Sequence, residues 1–242
     1  MPDWPLFAAV TGLVGLAFVA LARASARAVR AALDAHRVQD APPPPAVAAL
    51  QSDRLVVVNV VATHGLLLVI LAAGAWTAGV PAAALGVAAP TPRALAAGVG
   101  LGLALAAGNE AGARLAERAG LTQDERLREL LAPESAAGWT GLLFVVLPLV
   151  ATAEELLFRG ALVGGLAAGF DLPVWGLVVG SSAAFGVGHV MQGRAGVAVT
   201  AGLGLVLAGG FVITGSLAVV VIAHYVVNAA EFLGHERPTG RP

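Results

Sequence analysis

Apolar runs long enough to cross a bilayer recur along this 242-residue chain, and they constrain its fold more than any other feature. A transmembrane helix needs about 20 mostly apolar residues. The chain is 58% hydrophobic and only 12% charged, which is too apolar for a soluble domain. The sequence therefore predicts an all-α fold, a polytopic bundle of transmembrane helices.

We predict about seven spans, and the long fourth run leaves an eighth open. Pro148 lies inside that run, where it removes a backbone hydrogen bond and either kinks the helix or begins a new segment. The predicted spans are Pro5–Leu21, Leu55–Val80, Ala94–Ala107, Trp139–Gly169, Pro173–Met191, Ala195–Ile213 and Leu217–Leu233.

Arginines alternate between the connections of the predicted spans. After the first span, successive connections and the C-terminal tail carry five, one, four, none, one, none and two arginines. Basic residues favour the cytoplasmic side of a membrane protein. The pattern predicts an N-terminus outside the cell and a cytoplasmic C-terminus.

Two of the connections have a character of their own. Pro42–Pro45 cannot continue a helix and indicates a stiff spacer. Residues 108–138 are rich in charge, and Thr122 with Glu125 fits a capping box, so this part predicts a connector with a short interfacial helix.

The stretch Ala151–Gly160 places Glu154, Glu155 and Arg159 inside an apolar run. Each charge near a bilayer centre costs at least ~2.5 kcal/mol on insertion scales, so such residues need partners or a function. On a helix, Glu155 and Arg159 can pair at a spacing of four residues, whereas Glu154 is rotated by roughly 100°. One carboxylate is predicted to be structural and the other free to act.

Two further predicted spans carry polar groups on one helical face. Phe185 and His189 are four residues apart, as are His224 and Asn228. If these faces meet Glu154 in the bundle interior, they form one buried polar site.

Such a site suits hydrolysis by an activated water. A buried carboxylate can act as general base, and an imidazole can hold the same water or pass its proton to a leaving amine. His224 and Asn228 would stabilise the oxyanion. The chain has no cysteine, which excludes disulfides, a thiolate nucleophile and thiolate metal ligands.

A metal is the alternative means of activation. Two histidines and a carboxylate can bind catalytic zinc, which makes Glu154, His189 and His224 candidate ligands. The H-E-x-x-H motif of soluble zinc peptidases is absent. The sequence leaves a divalent metal open.

Structural roles account for the other polar residues. A single histidine in a span, such as His64, is more often a helix contact than a functional group. The Glu155–Arg159 pair serves equally well as scaffold. Phe185 is interpreted as packing around the site, and Glu231 as a supporting or surface residue.

In their order along the chain, Glu154-Glu155-x-x-x-Arg159, Phe185-x-x-x-His189 and His224-x-x-x-Asn228 resemble the three motifs of the CPBP family. These are intramembrane proteases of the CAAX-prenyl-protease and bacteriocin-processing type, also described as Abi-like or type II CAAX prenyl endopeptidase-like. The resemblance covers about Leu142–Leu233.

The resemblance implies a membrane-embedded site that opens toward the cytoplasm. It assigns Glu154 and His189 to water activation, and His224 and Asn228 to oxyanion stabilisation. Family members have been described both as metalloproteases and as glutamate proteases, so the metal stays open. The implied substrates are CAAX-like or other membrane-associated peptides in a prokaryotic-type cell membrane. Residues 1–138 would then supply N-terminal spans and charged cytoplasmic connections, and residues 139–242 the catalytic core of one integrated membrane domain.

Two other function classes remain as alternatives. A transporter or proton-coupled carrier also uses buried charges, but it predicts internal repeats, which the sequence does not show. A catalytically silent membrane adaptor would not need the complete motif set. The net charge of −1 gives no argument for binding nucleic acid.

Overall fold

The computed structural model of the protein describes residues 1–39, 53–118, 128, 131–133 and 135–236. The tract Pro42–Pro45 and the capping box of Thr122 and Glu125 lie outside the described residues.

Within the described residues the chain is helical and has no strand. Six helices are long and apolar enough to cross a membrane, and a seventh is shorter. The predicted fold, a polytopic bundle of transmembrane helices, is confirmed. The helices are α1 (Trp4–Gln39), α2 (Asp53–Thr77), α3 (Pro92–Arg118), α4 (Ala136–Phe170), α5 (Val174–Gly188), α6 (Gly193–Thr214) and α7 (Leu217–His235).

Helix α4 runs without interruption past Pro148, so the fourth run forms one span. A π-helical stretch, Leu142–Val146, comes just before the proline, and a second one, Leu156–Gly165, follows Glu155. Wide turns of this kind accommodate a proline and occur frequently at functional sites. One carbonyl of the second stretch, that of Phe158, accepts a hydrogen bond from Ser181 of α5 at 2.6 Å.

Helices α1 and α3 extend beyond their predicted apolar runs. Helix α1 continues through a segment of alanines and arginines, which are strong helix formers. Helix α3 continues to Arg118, and its extension contains a Glu110–Arg114 ion pair at 2.8 Å and a spacing of four residues. Both extensions contain too many charged residues to be counted as part of a span by hydropathy, so the sequence prediction ended these helices too early.

Helix α5 is shorter than predicted because it ends at Gly188. Its 15 residues extend about 22 Å, less than the roughly 30 Å of a bilayer core. A 3₁₀ turn, Val190–Gln192, and Gly193 at a φ of 76° then begin α6. His189 follows in the turn and is partly buried, and Gly188 packs so closely on Phe18 of α1 that a Cβ there would lie 2.4 Å from the ring.

Successive helices run in opposite directions, which brings alternate connections to the same end of the bundle. The N-terminus lies against the end of α2, since the Asp3 amide donates to the Ala78 carbonyl at 2.7 Å. The connection after α2 in turn meets the start of α7, where the Leu217 amide donates to the Gly86 carbonyl at 2.9 Å. The C-terminal ends of α1, α3 and α7 lie at the opposite end.

Small residues bring helices α3 and α7 into close contact. Gly98 and Gly102 are buried, and a Cβ on Gly102 would lie 2.6 Å from Val226 Cβ and 2.8 Å from the Ala223 carbonyl. Gly176 and Gly180 have the same spacing on α5, yet nothing lies within 4 Å of either position. Spacing alone therefore did not separate packing glycines from lipid-facing ones.

Replacing Gly102 by alanine should destabilise the protein, because overpacking a close helix contact costs about 1–3 kcal/mol. Gly100 on the same helix is the control, because a Cβ there meets nothing within 4 Å. Gly100→Ala should leave the melting temperature unchanged or raise it, since alanine favours a helix over glycine. Thermal unfolding of the two variants in detergent measures the difference, and equal melting temperatures would contradict the packing.

Candidate active site

Three helices bring the polar residues of the sequence motifs to one cavity of about 280 Å³. Glu154 comes from α4, Phe185 from α5, and His189 from the turn that follows α5. His224 and Asn228 come from α7. The structure thus brings together the four residues that were predicted to be catalytic.

Glu155 and Arg159 lie behind this cavity and are fully buried. Arg159 Nη1 donates to Glu155 Oε1 at 2.7 Å, and Nη2 donates to the Gly204 carbonyl of α6 at 3.1 Å. His224 Nδ1 lies 2.8 Å from the same Glu155 oxygen. The pair therefore joins α4 to α6 and α7 and fixes the His224 ring.

Phe185 forms a wall of the site. Its ring centroid lies 4.6 Å from that of His189 and 5.8 Å from that of His224. The Arg159 guanidinium lies 4.5 Å from the same ring, within the range of a cation–π contact. Phe185 thus packs against both imidazoles and the buried cation.

Glu154 has its two carboxylate oxygens in different surroundings. Oε1 lies 3.2 Å from His64 Nε2. Oε2 is buried without a hydrogen-bond partner among the described residues, and it lies 3.7 Å from His224 Nε2 and 4.0 Å from His189 Nε2. Oε2 is therefore the oxygen that faces the other motif residues.

The Nδ1 atoms of the three histidines fix the orientation of their rings. His189 Nδ1 donates to the Phe185 carbonyl at 2.8 Å, and His64 Nδ1 donates to the Val60 carbonyl at 2.9 Å, because a carbonyl can only accept. With His224 Nδ1 held by Glu155, three Nε2 atoms point at one carboxylate.

The candidate metal ligands were Glu154, His189 and His224. Among the described residues, no group of three or more histidine, aspartate or glutamate side chains is arranged to hold a metal ion. The Nε2 atoms of His224 and His189 lie 3.7 and 4.0 Å from the same carboxylate oxygen. The mechanism proposed below accordingly uses the side chains alone.

Comparison with known families covers the part of the chain that carries the three motifs. Residues 136–230 match the family model described as type II CAAX prenyl endopeptidase, Rce1-like. This part of the chain is similar to that family, and we refer to it as the Rce1-like domain. The match confirms the resemblance that the three motifs indicated, and at the level of the family it supports a protease of the intramembrane CAAX type. No curated protein and no solved structure matches the chain.

The cavity also takes residues from outside the Rce1-like domain. His64 of α2, Asn109 of α3 and Arg128 all line it. Asn109 donates to Glu231 Oε1, and Arg128 donates to Glu231 Oε2 at 3.2 Å and to Glu236 Oε1 at 2.9 Å. Glu231 therefore anchors a polar cluster at the wall of the cavity near the end of α7.

His64 was interpreted from the sequence as a structural residue, yet it contacts Glu154 directly. The one feature of the sequence that could have indicated a role for His64 is its position within a span, because ionisable residues inside spans are frequently functional. Periodicity along α2 does not reveal that this helix packs against α4 at the level of Glu154.

Replacing Arg159 by methionine should prevent stable folding, because removing one partner of a buried ion pair costs about 3–5 kcal/mol. Arg114→Met is the matched control, because Glu110 and Arg114 also form a pair four residues apart, with Arg114 70% exposed. Such surface pairs contribute about 0–1 kcal/mol. The yield of monodisperse protein and its melting temperature measure both effects, and equal losses in the two variants would show that burial of Arg159 is not what stabilises the bundle.

Proposed function

We propose that the protein is an intramembrane endopeptidase that hydrolyses membrane-associated peptides by means of a water activated by Glu154. The observation that supports this most concerns Oε2 of Glu154, a residue that lines the cavity. This buried oxygen has no hydrogen-bond partner among the described residues and lies 3.7 and 4.0 Å from the Nε2 atoms of His224 and His189. A water donating a hydrogen bond to that oxygen would lie within reach of His189 and His224.

In the first step Glu154 removes a proton from this water, and the water oxygen attacks the carbonyl carbon of the scissile peptide bond. The carbonyl oxygen becomes an oxyanion. Asn228 donates to it through its side-chain amide, and His224 donates through Nε2 when the ring carries its second proton, since its Nδ1–H is held by Glu155. Glu155 and Arg159 thus support the oxyanion donor without touching the substrate.

In the second step the tetrahedral intermediate collapses and the C–N bond breaks. The leaving nitrogen must gain a proton, and His189 is placed to pass on the one that Glu154 took from water. Its Nδ1–H is held by the Phe185 carbonyl, so Nε2 is the atom that accepts and releases this proton. The immediate products are a carboxylic acid and an amine, and Glu154 is again ionised. Transfer of the acid's proton to the amine then gives a carboxylate and an ammonium group.

The walls of the cavity indicate the character of the substrate. Apart from the polar groups near Glu154 and Glu231 and the hydrogen-bonded pair of Gln192 and Thr200, they are aliphatic and aromatic, a lining that suits apolar side chains or a lipid group. CAAX-like peptides with aliphatic residues before the C-terminus therefore fit the site. The apolar lining residues include Leu105, Val146, Val150, Leu203, Leu207 and Phe232.

The access side of the cavity is proposed to be cytoplasmic. Asn109, Arg128 and Glu231 lie toward the end of the bundle at which α3 and α7 end. The connections predicted for this end hold twelve arginines, against one, Arg93, at the other end. The bias of basic residues to the cytoplasmic side therefore orients the cavity toward the cytoplasm.

Replacing Glu154 by glutamine should abolish peptide cleavage and leave the fold intact, since the amide cannot accept the proton of the water. The assay uses vesicles containing the purified protein, with a farnesylated CAAX peptide, its unprenylated form and a proteome-derived library of membrane peptides, read by mass spectrometry. Glu110→Gln, at an exposed carboxylate on α3, is the control and should cleave like the wild type.

Cleavage that persists in Glu154→Gln would refute the role of Glu154. If the wild type cleaves nothing in the library, the peptidase assignment fails, and solute uptake by the same vesicles then tests the transporter. Activity lost to 1,10-phenanthroline and restored by zinc would add a metal to the water activation.

The proposed orientation is testable by cysteine labelling, because the chain has no cysteine of its own. Ala88 lies exposed in the connection between α2 and α3, and Gly234 lies exposed at the end of α7. A membrane-impermeant maleimide should label the Ala88→Cys variant in intact cells, and the Gly234→Cys variant only after permeabilisation. The reverse pattern would invert the topology.

A further inference from the structure

We propose that His64 is a positioning residue of the active site, which holds Oε1 of Glu154 so that Oε2 faces His189 and His224. This inference rests on the proposed function and adds to it a residue from helix α2, outside the Rce1-like domain.

Both nitrogens of His64 are committed to oxygen atoms. Nδ1 donates to the Val60 carbonyl one turn earlier at 2.9 Å, which fixes the plane of the ring. Nε2 lies 3.2 Å from Glu154 Oε1. Because Nδ1 donates to the Val60 carbonyl, Nε2 donates to the ionised carboxylate when the ring carries its second proton. The proposed base role of Glu154 requires this arrangement, in which the proton stays on His64.

This contact is specific to one of the two oxygens. Glu154 is 3% exposed. Within the described part of the chain, its side chain makes a hydrogen bond with His64, through Oε1. The nearest contacts of Oε2 are the longer ones to His224 and His189, at 3.7 and 4.0 Å. Rotation of the carboxylate would exchange the two oxygens, and the bond to His64 opposes that rotation.

The ring of His64 is itself held in place. Phe18 of α1 meets it edge-on, with ring centroids 6.4 Å apart and an interplanar angle of 82°. Phe18 also packs on Phe158 of α4 at 5.5 Å. His64 lines the cavity and is therefore not simply buried filling between helices. Helices α1 and α2 together hold the imidazole at the carboxylate.

A residue that orients the general base without touching the substrate acts on turnover more than on substrate binding. Loss of one hydrogen bond to a charged group corresponds to a decrease of about 10- to 100-fold in rate. Loss of the His64 contact should therefore lower kcat by this factor while KM stays close to the wild-type value.

The experiment compares His64→Leu with His64→Gln in vesicles, with a peptide that the wild type cleaves. Leucine keeps the apolar volume but removes the contact, whereas the glutamine amide N–H can reach about the position of imidazole Nε2. We expect His64→Leu to lose about 10- to 100-fold in kcat and His64→Gln to recover most of it. Asn59→Leu, at an exposed polar residue of the same helix, is the control and should retain wild-type kcat.

A wild-type kcat in His64→Leu would overturn the inference, and so would equal losses in the leucine and glutamine variants or a change in KM alone. If Glu154→Gln is inactive while His64→Leu is fully active, only the role of His64 fails. If both variants keep activity, the proposed role of Glu154 fails as well.

A second measurement does not depend on activity. The melting temperatures of His64→Leu, Glu154→Gln and the double variant form a thermodynamic cycle. Shifts that are not additive support the contact between the two side chains. Additive shifts would overturn it even if no cleaved peptide is found.

Discussion

The burial of one guanidinium group, that of Arg159, is the constraint on which the rest of the site depends. A buried charge is stabilised where acceptors meet its donors. Here Nη1 donates to Glu155 on the same helix and Nη2 to the Gly204 carbonyl on α6, whereas Nε has no hydrogen-bond partner among the described residues. His224 of α7 shares the Glu155 oxygen. Three helices are thus locked at one level of the bundle, which is the level of the cavity.

The two adjacent glutamates divide structural and chemical roles between them because a helix turns successive side chains apart. Glu155 forms an ion pair with the buried Arg159 and so stabilises the packing of the bundle. Glu154 faces the cavity, where its Oε2 has no hydrogen-bond partner among the described residues. A single buried carboxylate could not serve both purposes, since an oxygen held by a guanidinium is a weak acceptor for the proton of a water.

The sequence was sufficient for the class of fold and for the four motif residues that meet at the cavity, because charges in a span and spacings of four residues are local signals. It did not predict where α5 ends, since the turn at His189 depends on Gly188 packing against Phe18. It also missed His64, because only the packing of α2 on α4 brings that ring to Glu154. The periodicity of apolar residues within a helix does not show which other helix it packs against.

The helices before residue 136 therefore do more than shield the Rce1-like domain from lipid. Without α2, Oε1 of Glu154 would lose its only hydrogen bond among the described residues, and the carboxylate would be free to rotate. Without α1, the edge of Phe18 would no longer support His64, Phe158 or the end of α5. In the proposed mechanism the motif residues of the matched domain supply the reacting groups, whereas the unmatched helices determine which carboxylate oxygen those groups meet. Chains that share the three motifs but differ in their first helices should accordingly differ in how their general base is held.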